Sequence, residues 1–294
     1  MSAGILEYIS QTKGNFNFID PNDIFKFIDD ASFLEVVNLI SIGLANYNCK
    51  LQVPSDLATA ENFIPTENLK TQSYLNKISQ WTYDQEMKLN SDKSMYMIMN
   101  FCTSKPYQTR LYLENSLLKQ VKETKLLGII IADDLTWHRN TDNLVKRAYM
   151  RMVIIRKLYD FRIQLKDLIK IYILYIRSIV EQSCVVWASS ITEEEKQKLE
   201  RVQKIALRII LKDKYISYCN ALQVTNLSTL EERRTKLMYN FAIKCTRNEN
   251  TVHMFPLNKN KSTRVSEKYK VPFAYTSRLA NSAIPSMARL LNSM

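Results

Sequence analysis

Two adjacent carboxylates, Asp29 and Asp30, end a short apolar run from Ile24 to Ile28, and a second apolar pair, Phe33-Leu34, comes almost at once after them. This is the pattern of a β-hairpin carrying two acids at its tip. Side chains alternate along a strand, so the two acids cannot both face one way. One can meet a divalent ion directly while the other supports the site. Mg2+ prefers hard oxygen ligands and keeps waters and substrate phosphates in its shell, so one or two protein carboxylates per ion suffice. In two-metal phosphoryl transfer, one ion activates the attacking hydroxyl and the other stabilises the leaving group. An Asp-rich turn without chemistry has the same local pattern. So does a second pair, Asp133-Asp134, which comes after the apolar strand Leu126 to Ile131 and precedes Leu135-Thr136-Trp137. Periodicity does not separate the two pairs.

The chain that must position these acids has 294 residues, enough for one large domain or two ordinary ones. Its hydrophobic content of 46% can fill a core. Only four glycines are present, and neither a G-x-G-x-x-G run nor a P-loop lysine motif occurs, which argues against a nucleotide-binding fold built on Gly-rich loops. The net charge of +12 is unevenly spread. Residues 1–137 hold 12 Lys/Arg against 16 Asp/Glu, and residues 138–294 hold 29 against 13. An acidic-leaning part with a carboxylate pair, succeeded by a strongly basic part, suits a metal site beside a polyanion grip. Basic helices on a solvated surface would give the same count.

Cys49, Cys102, Cys184, Cys219 and Cys245 form no C-x-x-C pair, and the chain has only two histidines. Neither a zinc site nor a disulfide framework is expected. A reducing, intracellular compartment, nuclear or cytoplasmic, fits this cysteine usage. The start of the chain lacks the basic-then-apolar pattern of a signal peptide. The most apolar stretch, Leu168 to Val180, is interrupted by Lys170 and Arg177, and falls short of the ~18 apolar residues of a membrane span.

Along the chain, residues 1–23 are polar and end in the turn Asp20-Pro21-Asn22-Asp23, just before the acid-tipped hairpin. A short helix is expected from Glu35 to Asn46 and a second from about Gln72 to Leu89, burying Leu75, Ile78 and Trp81. Strands are expected at Met95–Phe101, at Arg110–Leu113 and Leu117–Val121 around a Glu114-Asn115-Ser116 turn, and at Thr124–Ala132. Gly128 sits inside that last strand, where a glycine marks a bulge or a close backbone approach. From about Asn140 the pattern is helical. Leu144, Ala148, Met152 and Ile155 form one stripe, and a helix from about Leu165 to Cys184 comes next. Two helices open on capping boxes, Thr192-x-x-Glu195 and Thr229-x-x-Glu232. The first presents Leu199, Val202, Ala206 and Ile209; the second is expected to bury Leu237, Phe241 and Cys245. The last forty residues are basic and loop-like up to a short helix near Ala283–Leu291.

Cations surround the apolar stripe of the helix after Thr192: Lys196, Lys198, Arg201, Lys204, Arg208 and Lys212. They can track a nucleic-acid backbone, a contact that positions without reading sequence and depends steeply on salt. A solvated face, stabilised by pairs such as Glu200 with Lys204 one turn on, is the plainer account.

Phe27-Ile28-Asp29-Asp30 resembles the aromatic-x-Asp-Asp motif C of reverse transcriptases, and the downstream segments keep that family's order. Trp81 and Leu89-Asn90-x-x-Lys93 resemble motif D. Lys125-Leu126-Leu127-Gly128 resembles the Leu-Gly turn of motif E, the primer grip, with Asp133-Asp134-Leu135-Thr136-Trp137 as its trailing segment. Tyr175 to Glu181, Val186-Trp187 and Leu199 to Ile209 resemble the thumb of polymerases from retrotransposons without long terminal repeats. The likeness runs from about residue 20 to the end.

The resemblance implies an α+β chain. Residues 1–23 are an N-terminal remnant and 24–137 a partial palm of antiparallel strands with helices. Residues 138–250 are a helical thumb and 251–294 a basic tail. It implies RNA-directed DNA synthesis on a primer–template duplex of RNA and DNA. Asp29 and Asp30 would be metal ligands for Mg2+, Lys93 a proton donor to the leaving pyrophosphate, and Gly128 and the basic helix nucleic-acid contacts. Asp133-Asp134 is then a strand-end turn. The family's motif A aspartate and fingers have no counterpart here: Glu7, Asp20 and Asp23 are the only acids before Asp29, and the last two lie too close to form a separate strand. The expectation is a polymerase fragment inactive by itself. The alternatives are a non-enzymatic nucleic-acid-binding module, or a fragment with no function. No membrane partner is expected, and the oligomeric state is not legible.

Overall fold

The computed structural model of the chain describes residues 70–86, 89–99, 109–258 and 268–293. The acid pair Asp29-Asp30, the expected helix at Glu35–Asn46 and the loop after it lie outside these residues. The described chain is mixed α and β, mostly helical, with three two-stranded sheets. It divides into two compact units between Leu135 and Thr136.

The first unit opens with α1 (Lys70–Asp84). The helix stops before Leu89, where the chain reaches Glu86 with a left-handed φ of 56°. Six short strands come next. β1 (Met95–Tyr96) pairs in parallel with β4 (Lys119–Gln120), and β2 (Tyr112–Leu113) is antiparallel to β3 (Ser116–Leu117). The β2–β3 turn is Glu114-Asn115, in keeping with its polar composition. Leu111, Leu113 and Leu118 are buried, with Leu75, Leu89 and Tyr96 packed on them.

The expected strand Thr124–Ala132 is instead a hairpin. β5 (Glu123–Leu126) and β6 (Ile129–Ala132) are antiparallel and joined by Leu127-Gly128. Both turn residues have positive φ, 49° and 87°. That is the hand a two-residue turn needs to match strand twist. Gly128 therefore serves a turn rather than a bulge.

The second unit starts with α2 (His138–Asp160), whose stripe Leu144, Ala148, Met152, Ile155 is buried as its spacing predicts. α3 (Leu165–Ile171) continues without a break through a π-helical stretch, Tyr172–Arg177, into α4 (Ser178–Val180). The wider turn changes the ladder locally. Ser178 donates to the Leu174 carbonyl at 2.7 Å and Arg151 to that of Tyr175 at 3.1 Å. The expected continuation to Cys184 stops at Val180; a turn through Ser183, with φ of 48°, follows, and α5 (Cys184–Trp187) begins anew.

α6 (Glu193–Leu211) and α8 (Leu230–Arg247) each carry both halves of their capping boxes. Between them lies α7 (Tyr218–Thr225), capped by Ser217. Cys245 is buried as expected, but α8 otherwise turns a different face inward: it buries Arg234, Met238 and Ala242 and leaves Leu237 and Phe241 half-buried. α9 (Ser277–Ala280) and α10 (Ala283–Ser293) close the chain. α10 packs its Ala283, Ile284, Met287 and Ala288 on α8. No helix among the described residues is long and apolar enough to cross a membrane.

Candidate nucleic-acid interface

α6 is built to show one face to the core and another to solvent. Thr192 Oγ1 accepts from the Glu195 N–H at 3.3 Å, and Glu195 Oε2 accepts from the Thr192 N–H at 2.8 Å. Three glutamates in the first turn oppose the positive end of the helix dipole. Leu199, Val202, Gln203, Ala206, Leu207 and Ile210 are buried, and α2, α3, α7 and α8 pack around them.

The core also contains a polar chain. Tyr172 donates to Gln203 Oε1 at 2.6 Å; Gln203 Nε2 donates to the Tyr218 hydroxyl and to the Ser228 carbonyl, both at 2.9 Å. Tyr218 donates to Glu200, which also accepts the Leu230 N–H at 3.1 Å. Burial, then the Glu200 carboxylate, push the Tyr218 hydroxyl well above its ordinary pKa. Glu200 is thus committed to Tyr218 and to the first turn of α8. The expected Glu200–Lys204 pair does not form.

The cations separate into two sets. Lys196 turns toward α8, between Glu193 at 2.5 Å and Glu231 at 3.3 Å, and these carboxylates, Glu193 first, hold its ammonium above the usual lysine range. Lys198 turns toward α2, pairing with Glu194 at 3.2 Å and Asp142 at 3.6 Å. Both charges are balanced locally.

Arg201, Lys204 and Arg208 instead share the exposed face of α6. Arg201 has no ion pair among the described residues. Lys204 lies over the Tyr218 ring at 5.1 Å and Arg208 over the Tyr215 ring at 5.2 Å. Aromatic faces orient these cations without cancelling their charge. Lys212, just past α6, stands 4.0 Å over the Tyr159 ring and at the same distance from exposed Asp160.

This row ends in a shallow cleft of about 430 Å³ between α2 and α6. Arg156, Arg208 and Lys212 give it positive charge, opposed by the Asp160 carboxylate alone; Tyr159, Ile205 and Ile209 give it an apolar floor. Arg156 and Tyr159 carried no signal in the sequence, because only the packing of α2 on α6 brings them to the row.

Of the other expected site residues, Asp29 and Asp30 lie outside the described residues. Lys93 is an exposed residue of the turn after Asn90, whose Oδ1 accepts the Lys93 N–H at 3.2 Å. It belongs to the first unit, as does Gly128. Next to Gly128, Leu127 is 57% exposed despite its size. Asp133 and Asp134 occupy a turn after β6, with the Asp133 N–H bonded to the Lys122 carbonyl at 2.9 Å. Among the described residues no cluster of three or more His, Cys, Asp or Glu is placed to hold a metal ion.

Comparison of the chain with protein-family models, with curated proteins and with solved structures finds no match.

Proposed function

We propose that the helical unit grips the backbone of a nucleic-acid duplex through Arg201, Lys204, Arg208 and Lys212, with Arg156 at the end of the row. The observation that carries this reading is the division of the cations. Lys196 and Lys198 are paired with carboxylates, whereas Arg201, Lys204 and Arg208 have no carboxylate partner among the described residues and the last two lie over aromatic rings; Lys212 meets both a ring and Asp160. Rings restrain a cation and leave its charge available to a phosphate. From Arg201 to Arg208 the helix rises about 10 Å. That spans about three phosphates of one strand.

The lineage we propose is that of non-LTR retrotransposon reverse transcriptases, with residues up to 135 as the end of a palm and the helical unit as a thumb. The ordered motifs support it. So does Leu127: a large residue held exposed and left-handed in a turn costs stability, and such positions gather where a ligand is clamped. In that lineage Leu127-Gly128 would meet the primer, Lys93 would donate a proton near the incoming nucleotide's phosphates, and Asp29-Asp30 would hold Mg2+. The test of the grip is binding of an RNA–DNA duplex across a salt series. Affinity that stays flat between low and moderate salt would rule out a row of phosphate contacts.

A further inference from the structure

A second surface, on the tail, carries the opposite mix: exposed aromatic rings set among cations. Residues 268–274 run outside any helix, with Tyr269 in an antiparallel bridge to Leu257, and alternate in burial from Lys268 to Val271. Tyr269 and Val271 turn inward against the cluster of Met238, Ala242 and Met287. Lys268 and Lys270 turn outward. The segment is fixed at several points. Asn292 of α10 donates to the Tyr269 carbonyl at 2.8 Å and accepts its N–H at 2.9 Å. The Lys270 N–H donates to the Pro256 carbonyl at 2.9 Å, and Thr276 Oγ1 accepts the Leu279 N–H to start α9.

On this anchored stretch Phe273 and Tyr275 are 76% and 84% exposed. Their rings meet edge to face, 4.8 Å between centroids at 87°. Two large rings held out of a nearby apolar core leave faces bare that burial would otherwise cover. Pro272 fixes the backbone just before them. Residues 268–293 hold four Lys/Arg and no acid. A polyanion with planar apolar faces complements this surface, and among polyanions only an unpaired strand offers base faces, since a duplex has already stacked its own.

We propose that Phe273 and Tyr275 form a stacking platform for single-stranded nucleic acid, with Lys268 and Lys270 meeting its phosphates. The two rings stand nearly perpendicular with centroids 4.8 Å apart, so two neighbouring unstacked bases can each lie on the open face of one ring. The platform is distinct from the row on α6 and does not depend on it.

The test uses the full chain and two labelled dodecamers of equal charge, oligothymidylate and its abasic counterpart, read by fluorescence anisotropy. The platform predicts that oligothymidylate binds about tenfold more tightly than the abasic strand. Phe273→Ala/Tyr275→Ala should erase that preference while the salt dependence and melting temperature stay unchanged, and tryptophan at both positions should restore it. Equal binding of the two strands by the wild-type chain would overturn the proposal. So would a double alanine variant that keeps the preference, or rings needed for phosphatidylserine vesicles and not for the oligonucleotide. None of these results bears on duplex binding by α6, which has its own salt series.

Discussion

Glu200 and Gln203 sit where α6, α7 and α8 meet, and both are used up in holding those helices together. Gln203 is fully buried, and satisfies Tyr172, Tyr218 and the Ser228 carbonyl at once. Gln203→Leu keeps the volume and leaves the fully buried Tyr172 hydroxyl without its acceptor. Its expected cost is about 2 kcal/mol, measured by urea unfolding; a variant as stable as the wild type would show that the network contributes nothing. The same core contains a thiol with a pH signature. Burial, with a smaller push from Glu181, raises Cys184 from its ordinary 9.0 to about 11. The folded state then keeps a proton that the unfolded chain releases. This contribution to stability is intact below pH 9 and fades as pH rises toward 11. Buried Tyr172, shifted upward for the same reason, adds to the decline at higher pH. Cys184→Ala should flatten part of the loss between pH 9 and 11. Unfolding midpoints that fall equally steeply in both proteins would contradict this.

At the scale of elements, what was legible was what is local. The two capping boxes and the Leu144-to-Ile155 stripe depend on residues three or four apart, and each forms as its spacing indicates. α8 shows the limit. Leu237 with Phe241 and Met238 with Ala242 are equally regular stripes, one residue apart, and the packing of α5, α6 and α10 on α8 selects the second. The sorting of cations on α6 was hidden for the same reason, since Asp142 and Glu231 come from other helices. The β5–β6 hairpin was hidden by composition. An apolar run through Leu127 looks like one strand, because leucine is a poor residue for a left-handed turn position. That choice makes a prediction. Leu127→Asn supplies the residue that such turns favour and should stabilise the hairpin by about 0.5–1 kcal/mol. A loss of thermal stability would mean that the leucine side chain is held by packing.

For the whole molecule, part of the charge imbalance along the chain gathers on two surfaces, the row on α6 and the tail around Lys268 and Lys270, while other exposed cations such as Lys146, Lys166 and Lys244 lie elsewhere. A basic second half is thus partly a matter of ion pairs and partly a matter of exposed cations, and only the latter attract a polyanion. On the proposed lineage, catalysis would rest on Asp29 and Asp30. Without one of the carboxylates that bridge two metal ions, both ions are misplaced, and residues 1–28 offer only Glu7, Asp20 and Asp23 for that role. The 294-residue polypeptide is expected to bind a primer–template without extending it. Mg2+-dependent nucleotide incorporation that disappears in Asp29→Ala would reverse that expectation and make the chain a polymerase outright.

The central claim, that the exposed row and not basic charge at large grips the duplex, is tested most directly by the slope of log affinity against log salt for an RNA–DNA duplex. Removing one cation that meets a phosphate lowers that slope by about one. Arg201→Ala/Lys204→Ala/Arg208→Ala should reduce it by about three, whereas Lys196→Ala/Lys198→Ala, which removes two cations already paired with carboxylates, should leave it nearly unchanged. Equal reductions in the two variants, or a wild-type slope near zero, would contradict the account.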